Sequence, residues 1–219
     1  KDTVDTLGNQ KKTNYALRAD MTEQEFIDEV TSGLSKPPHY FPENVKLNKS
    51  GYESLTSVLK RSEKGLSASE LETYQNKGAL VLDTRKANDF CEGHIPNSWF
   101  IGIDGGFAPW VGALIEDINQ NIIVVCDMGR EEEVLTRLAR VGYTQVIGVL
   151  EGGFESWKRS EKPIANIENI DAQNLKKKLE TVEVLDVRKP GEYNAQHLDS
   201  SRLTYISLDD LQAKVDQLE

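Results

Sequence analysis

The run Asn121-Ile122-Ile123-Val124-Val125-Cys126-Asp127-Met128-Gly129-Arg130-Glu131 decides how this chain reads. Four β-branched residues in succession predict a strand buried on both faces, as in a parallel sheet. Beyond the cysteine, Glu132 to Val141 predicts an amphipathic helix with Val134, Leu135, Leu138 and Val141 on one face. Gly142 stands where a glycine would end that helix. Cys126 therefore lies between a buried strand and a helix N-terminus, where backbone N–H groups converge on an anion. Such a setting favours the thiolate, the reactive form of cysteine. The plain alternative is a buried cysteine serving as a small apolar residue.

Loop length separates the chemistries open to such a cysteine. A phosphate-transferring cysteine needs an arginine six positions on, to clamp a dianion with two hydrogen bonds. Glu132 occupies that place, which argues against a Cys-dependent phosphatase or arsenate reductase. A persulfide sulfur is smaller and fits a tighter ring of amides. The six-residue loop Cys126–Glu131, with Gly129 fourth, allows such a ring to close.

This loop resembles the active-site loop of the rhodanese family of sulfurtransferases. Ala79-Leu80-Val81-Leu82-Asp83-Thr84-Arg85, then Asp89-Phe90 and Gly93-His94-Ile95-Pro96-Asn97-Ser98, is similar to the family's first core strand and following turn. Val146 to Trp157, with Gly152-Gly153, is similar to its closing strand, glycine pair and tryptophan. The resemblance spans residues 66–162. It implies an α/β domain with a central, mostly parallel sheet flanked by helices, including helices near Ser67–Asn76 and Val134–Val141. It also implies that Cys126 is the nucleophile and carries a sulfane sulfur as a persulfide. The amides of Asp127, Met128, Gly129, Arg130 and Glu131 would then bind the substrate. A small persulfide or thiosulfate would be the donor, and a thiol the acceptor. The aromatics of Phe107–Ile115 would serve as core or as a pocket wall.

One departure bears on activity. Catalytic relatives commonly place arginine at the sixth loop position, whereas here it is Glu131 and the arginine stands one place earlier, as Arg130. Asp127, Glu131, Glu132 and Glu133 oppose Arg130 alone. Negative neighbours disfavour a thiolate and repel small anions, although acids in a first helical turn also stabilise the helix. The domain thus reads either as a sulfurtransferase or as a degenerate copy serving as a scaffold or domain-interaction module.

Internal comparison adds a repeat. Leu80 to Arg85 recurs as Glu183-Val184-Leu185-Asp186-Val187-Arg188, while Phe90 matches Tyr193 and His94 matches His197, each 103 residues apart. A second rhodanese-like unit is expected over residues 167–219, incomplete because the counterpart of Cys126 would fall past Glu219. His94 and His197, repeated in a turn, read as structural. So does Cys91, in the polar turn Asp89–Gly93.

Residues 1–60 differ in character. Thr22-Glu23-Gln24-Glu25 predicts a capped helix through Phe26, Ile27 and Val30, ended by Gly33. Lys36 to Pro42 predicts an extended turn, followed by a short helix over Asn44–Asn48. The segment Leu7–Arg18, with Pro37 to Pro42 and Asn44, resembles the C-terminal tail of metallo-β-lactamase-fold persulfide dioxygenases, one branch of which leads into tandem rhodanese domains. That resemblance implies a parent with a non-haem iron held by two histidines and a carboxylate. The three histidines here (His39, His94, His197) are scattered, so no metal or cofactor is assigned to this chain.

The net charge of −10 argues against nucleic acid and anionic membranes as partners. No apolar run approaches the roughly 20 residues of a membrane span. With only two cysteines, Cys91 and Cys126, a disulfide framework is out of reach, and a cytoplasmic, reducing setting is expected. A homodimer is compatible with this reading. The sequence begins at Lys1 rather than a methionine, which leaves room for a preceding segment, a targeting segment included.

Overall fold

The structure is a computed structural model that describes residues 4–17, 20–32 and 40–218. It divides into two units, Lys1–Pro37 and Pro38–Glu219. In the first, α1 (Leu7–Thr13) and α2 (Glu23–Thr31) flank a short 3-10 turn. The expected capping box forms at α2: the Thr22 amide donates to Glu25 Oε2 (2.8 Å) and the Glu25 amide to Thr22 Oγ1 (3.3 Å). Gly33, expected to end α2, and Lys36 to His39 of the expected turn lie outside the described residues.

The second unit opens with α3 (Tyr40–Ser50) and α4 (Leu55–Ser62). Here the structure corrects the sequence reading: Tyr40-Phe41-Pro42 is the first turn of α3, and the helix is longer than Asn44–Asn48. Pro42 is tolerated because amides in a first turn have no helical carbonyl to bond.

A five-stranded sheet follows, built from β1 (Gly65–Leu66), β2 (Leu80–Asp83), β3 (Trp99–Phe100), β4 (Ile122–Val125) and β5 (Val146–Leu150). Its order is β1-β5-β4-β2-β3 and every pairing is parallel. Between the strands run α5 (Ala68–Gln75), α6 (Ala87–Glu92), α7 (Phe107–Leu114) and α8 (Glu131–Arg140), with α9 (Gly153–Arg159) after β5. Cys91 thus sits on a helix rather than in a turn.

All four β4 residues are buried, as a central strand covered on both faces requires. Ile122 and Val124 join Val134, Leu135 and Leu138 of α8 and Phe107 and Val111 of α7 in one core layer. Ile123 and Val125 join Leu71 of α5 and Phe154 and Trp157 of α9 in the other. Phe107 is therefore core, while Trp110 is exposed. Gly142, at φ +94°, closes α8: its amide bonds Ala139 O and the Tyr143 amide bonds Leu138 O, both at 3.0 Å.

Gly148 marks the tightest backbone approach in this sheet. A Cβ there would lie 2.4 Å from the Lys64 carbonyl oxygen and 2.9 Å from Leu66 Cγ. Gly148→Ala must push β1 off β5, and urea denaturation should show a loss of about 1–3 kcal/mol. An unchanged midpoint would mean that β1 contributes nothing to stability.

Past α9 come α10 (Ala172–Lys178), β6 (Val184–Asp186), α11 (Pro190–Ala195), β7 (Leu203–Tyr205) and α12 (Leu208–Lys214). Strands β6 and β7 form a separate parallel pair. A bonding pattern recurs between the two sheets. Arg85 donates from Nε and Nη2 to Asp83 (3.0 and 2.6 Å) and from Nη2 to Gly93 O (2.8 Å). Arg188 does the same to Asp186 (3.0 and 2.6 Å) and Gln196 O (3.0 Å). His94 Nδ1 lies 2.9 Å from Phe90 O, and His197 Nδ1 lies 2.9 Å from Tyr193 O. Each imidazole stacks on that same aromatic ring.

Candidate active site

The β4 strand delivers Cys126 to the C-terminal edge of the sheet, the end where parallel α/β sheets open their crevices. The Thr84 amide and Oγ1 both donate to Val125 O (2.8 and 3.1 Å), fixing the end of β2 beside the end of β4. Cys126 is only 4 % exposed and continues the Ile122–Val124 core layer. It nevertheless lines a cleft of about 370 Å³, together with Arg85, Met128, Gly153, Phe154 and four carboxylate residues. Gly153, at φ +59°, lets the β5–α9 turn lie against the cysteine: a Cβ there would come within 3.2 Å of Cys126 O.

From Cys126 the chain turns through Gly129 (φ +83°) into α8, with the Arg130 amide bonding Asp127 O at 3.1 Å. The first α-helical bond runs from the Val134 amide to Arg130 O, so the amides of Glu131, Glu132 and Glu133 have no acceptor within the helix.

Electrostatics run against the expected thiolate. The Cys126 thiol is pushed up to about 12, first by burial and then by Glu131, Asp127 and Asp83, with Arg130 pulling the other way. Sequence reasoning placed the sulfur near amides and counted the acids, but could not see how completely the core layer encloses it. Arg130 gives little relief because its guanidinium turns elsewhere. It donates to both Asp104 oxygens (3.2 and 2.9 Å) and from Nε to Glu133 (2.9 Å).

Residues 67–160 match the family model described as Rhodanese-like domain. This segment is a rhodanese-like domain. The chain is 29% identical over 87 residues to a thiosulfate sulfurtransferase GlpE of Stutzerimonas stutzeri, covering 39% of this chain and 76% of the relative. It is 29% identical over 91 residues to its namesake from Pseudomonas savastanoi, covering 41% and 81%. A Staphylococcus aureus crystal structure described as a metallo-β-lactamase is 27% identical, with a TM-score of 0.52, over 66% of this chain but only 39% of its own.

Within the rhodanese-like domain, the sequence-predicted site residues divide. Asp127 and Met128 line the cleft with Cys126, Met128 being 71 % exposed. Gly129, Arg130 and Glu131 are not among the lining residues. Arg85, Gly152 and Gly153 were not predicted as site residues, though the repeated Asp-x-Arg pattern was a signal for Arg85. Its guanidinium lies 4.1 Å from the Phe154 ring centroid and forms part of the cleft wall. His94 bonds a backbone carbonyl and stacks on Phe90, away from the lining residues. Among the described residues no group of three or more His, Cys, Asp or Glu side chains is gathered to hold a metal. The described residues do not fit the iron site of the implied parent. No helix among them is long and apolar enough to cross a membrane.

Proposed function

We propose that the rhodanese-like domain is a sulfurtransferase that carries sulfane sulfur on Cys126. The observation that carries this reading is Cys126 at the end of β4, lining a cleft closed by Gly153, in a chain similar to two thiosulfate sulfurtransferases. Cys126 Sγ attacks the outer sulfur of a donor RS–S⁻. The new S–S bond forms as the donor's breaks, and the thiol proton leaves with RSH. An acceptor thiol R′SH then takes the outer sulfur as R′S–S⁻ and returns the proton to Cys126. The amides of Asp127, Met128, Gly129 and Glu131 are the loop donors proposed to hold the transferred sulfur, the Arg130 amide being bonded to Asp127 O.

The wider setting of this proposal is a persulfide dioxygenase–sulfurtransferase fusion in the cytoplasm. The similarity to a longer metallo-β-lactamase chain supports it, as does the tail-like segment 1–60. The iron and oxygen chemistry would belong to that other domain. Residues 167–219 would be the start of a second rhodanese-like unit, supported by the recurring Asp–Arg and aromatic–His pattern. Fusion raises the effective concentration at which one site passes sulfur to the next. A homodimer is compatible with this arrangement.

A second reading has its own support: the acidic loop and a thiol near 12 suit a domain retained as a scaffold. Prolonged incubation with cysteamine persulfide, glutathione persulfide or thiosulfate decides between them. Intact-protein mass spectrometry should show one added sulfur from at least one of the three, located on Cys126 by peptide mapping and absent from Cys126→Ser. If Cys126 remains unmodified with all three donors, the scaffold reading takes over.

A further inference from the structure

The charges around the Cys126 cleft are unevenly satisfied. Arg85 is bonded to buried Asp83, and Lys158 Nζ to Glu155 Oε1 at 2.7 Å. The loop's one base, Arg130, is held by Asp104 and Glu133. Three carboxylates on the cleft wall have no such partner: among the described residues, the side chains of Asp89 and Glu92 on α6 and Asp127 on the loop form no hydrogen bond or ion pair. The cleft thus presents uncompensated negative charge around the thiol. Beside them lies Cys126 itself, only 4 % exposed, which lines this cleft and whose thiol forms no hydrogen bond among the described residues.

We propose that the site selects its sulfur donor by charge, taking an aminothiol persulfide whose protonated amine sits among Asp89, Glu92 and Asp127, and rejecting dianions such as thiosulfate. This rests on Cys126 being the sulfur acceptor. With cysteamine persulfide the balance is complete: the outer sulfur bonds to Cys126 Sγ, the donor S–S bond breaks, and the Cys126 proton leaves on cysteamine. The other carboxylates near the sulfur, Glu131 and Asp83, have the same sign and reinforce the preference. A carboxylate-bearing donor differs from cysteamine persulfide by two charges. At cleft distances in a partly solvated site that difference is worth roughly tenfold or more in rate.

The test compares cysteamine persulfide with mercaptoacetate persulfide on the full chain, following sulfur addition to Cys126 by mass spectrometry. Each rate is divided by that of the same donor with a small neutral thiol, which removes intrinsic reactivity. At low salt the cationic donor should load Cys126 roughly tenfold faster or better, and added salt should shrink the ratio. Asp89→Asn/Glu92→Gln, at two exposed helix positions, should bring the ratio toward one by speeding the anionic donor. A ratio near one or below in the unaltered protein, with Cys126 loaded, overturns the charge selection and leaves the sulfurtransferase reading standing. No sulfur on Cys126 from either donor removes that reading, and this inference with it.

Discussion

Asp83→Ala is expected to cost the fold about 3–5 kcal/mol, because it strands the buried Arg85 guanidinium without its counter-charge. Asp83 is fully buried and Arg85 only 8 % exposed, so water cannot replace the lost carboxylate. Arg85 would keep only Gly93 O and the face of Phe154. Such a loss approaches the whole stability of many domains, so the variant should be largely unfolded at modest urea. The repeat supplies an internal control. Asp186 and Arg188 form the same fork, but the Arg188 side chain is 44 % exposed. Solvent takes over the freed guanidinium there, and Asp186→Ala should shift the urea midpoint only within error. Equal losses at both positions would show that local geometry rather than burial sets the cost. Asp83→Ala/Arg85→Met, which removes both charges, should recover part of the loss.

What the sequence makes legible follows from how local each determinant is. Ile122 to Val125 specify a doubly buried strand by themselves, and the thiol's position at its end follows. Val134, Leu135 and Leu138, with Gly142 behind them, specify α8 and its end within one stretch of chain. The cleft is another matter, because its wall is assembled from β2, α6, the cysteine loop and α9. Only contacts across the fold show that Arg85 belongs to it and that Arg130 does not. Arg130 is turned by Asp104, 26 residues upstream, a partner that no loop motif contains. The full length of α3 is not legible in the sequence, because Pro42 reads as a breaker unless its first-turn position is known. Polar Asp89-Phe90-Cys91-Glu92 reads as a turn, yet Phe90 is buried and holds α6 against the domain.

Iodoacetamide should modify Cys126 roughly a thousand times more slowly near neutral pH than it modifies the same residue in the denatured chain, read in a Cys91→Ser background. The ordinary thiol value of 9.0 rises to about 12, and each unit removes about nine-tenths of the thiolate. The logarithm of the rate should therefore climb with unit slope through about pH 9 to 11, where an unperturbed thiol levels off. The sign for stability is set by the same shift. Keeping Cys126 protonated favours the fold, a contribution that is intact below the unfolded value and fades as pH rises toward the folded one. Asp127→Asn with Glu131→Gln removes two of the charges that raise the thiol and should move the profile to lower pH. A plateau at or below about pH 9 would mean that the unpaired amides of the first turn of α8 outweigh burial and carboxylates together. The proton is also what makes the choice of donor matter. A thiol that stays protonated reacts best with a donor whose departing sulfur is basic enough to carry that proton away, as the thiolate of a low-molecular-weight persulfide is. Sulfite leaving from thiosulfate is a weaker base. Burial and donor charge therefore agree in disfavouring thiosulfate: the protonated thiol favours persulfides in general, and the carboxylates of the cleft favour those that carry a cation.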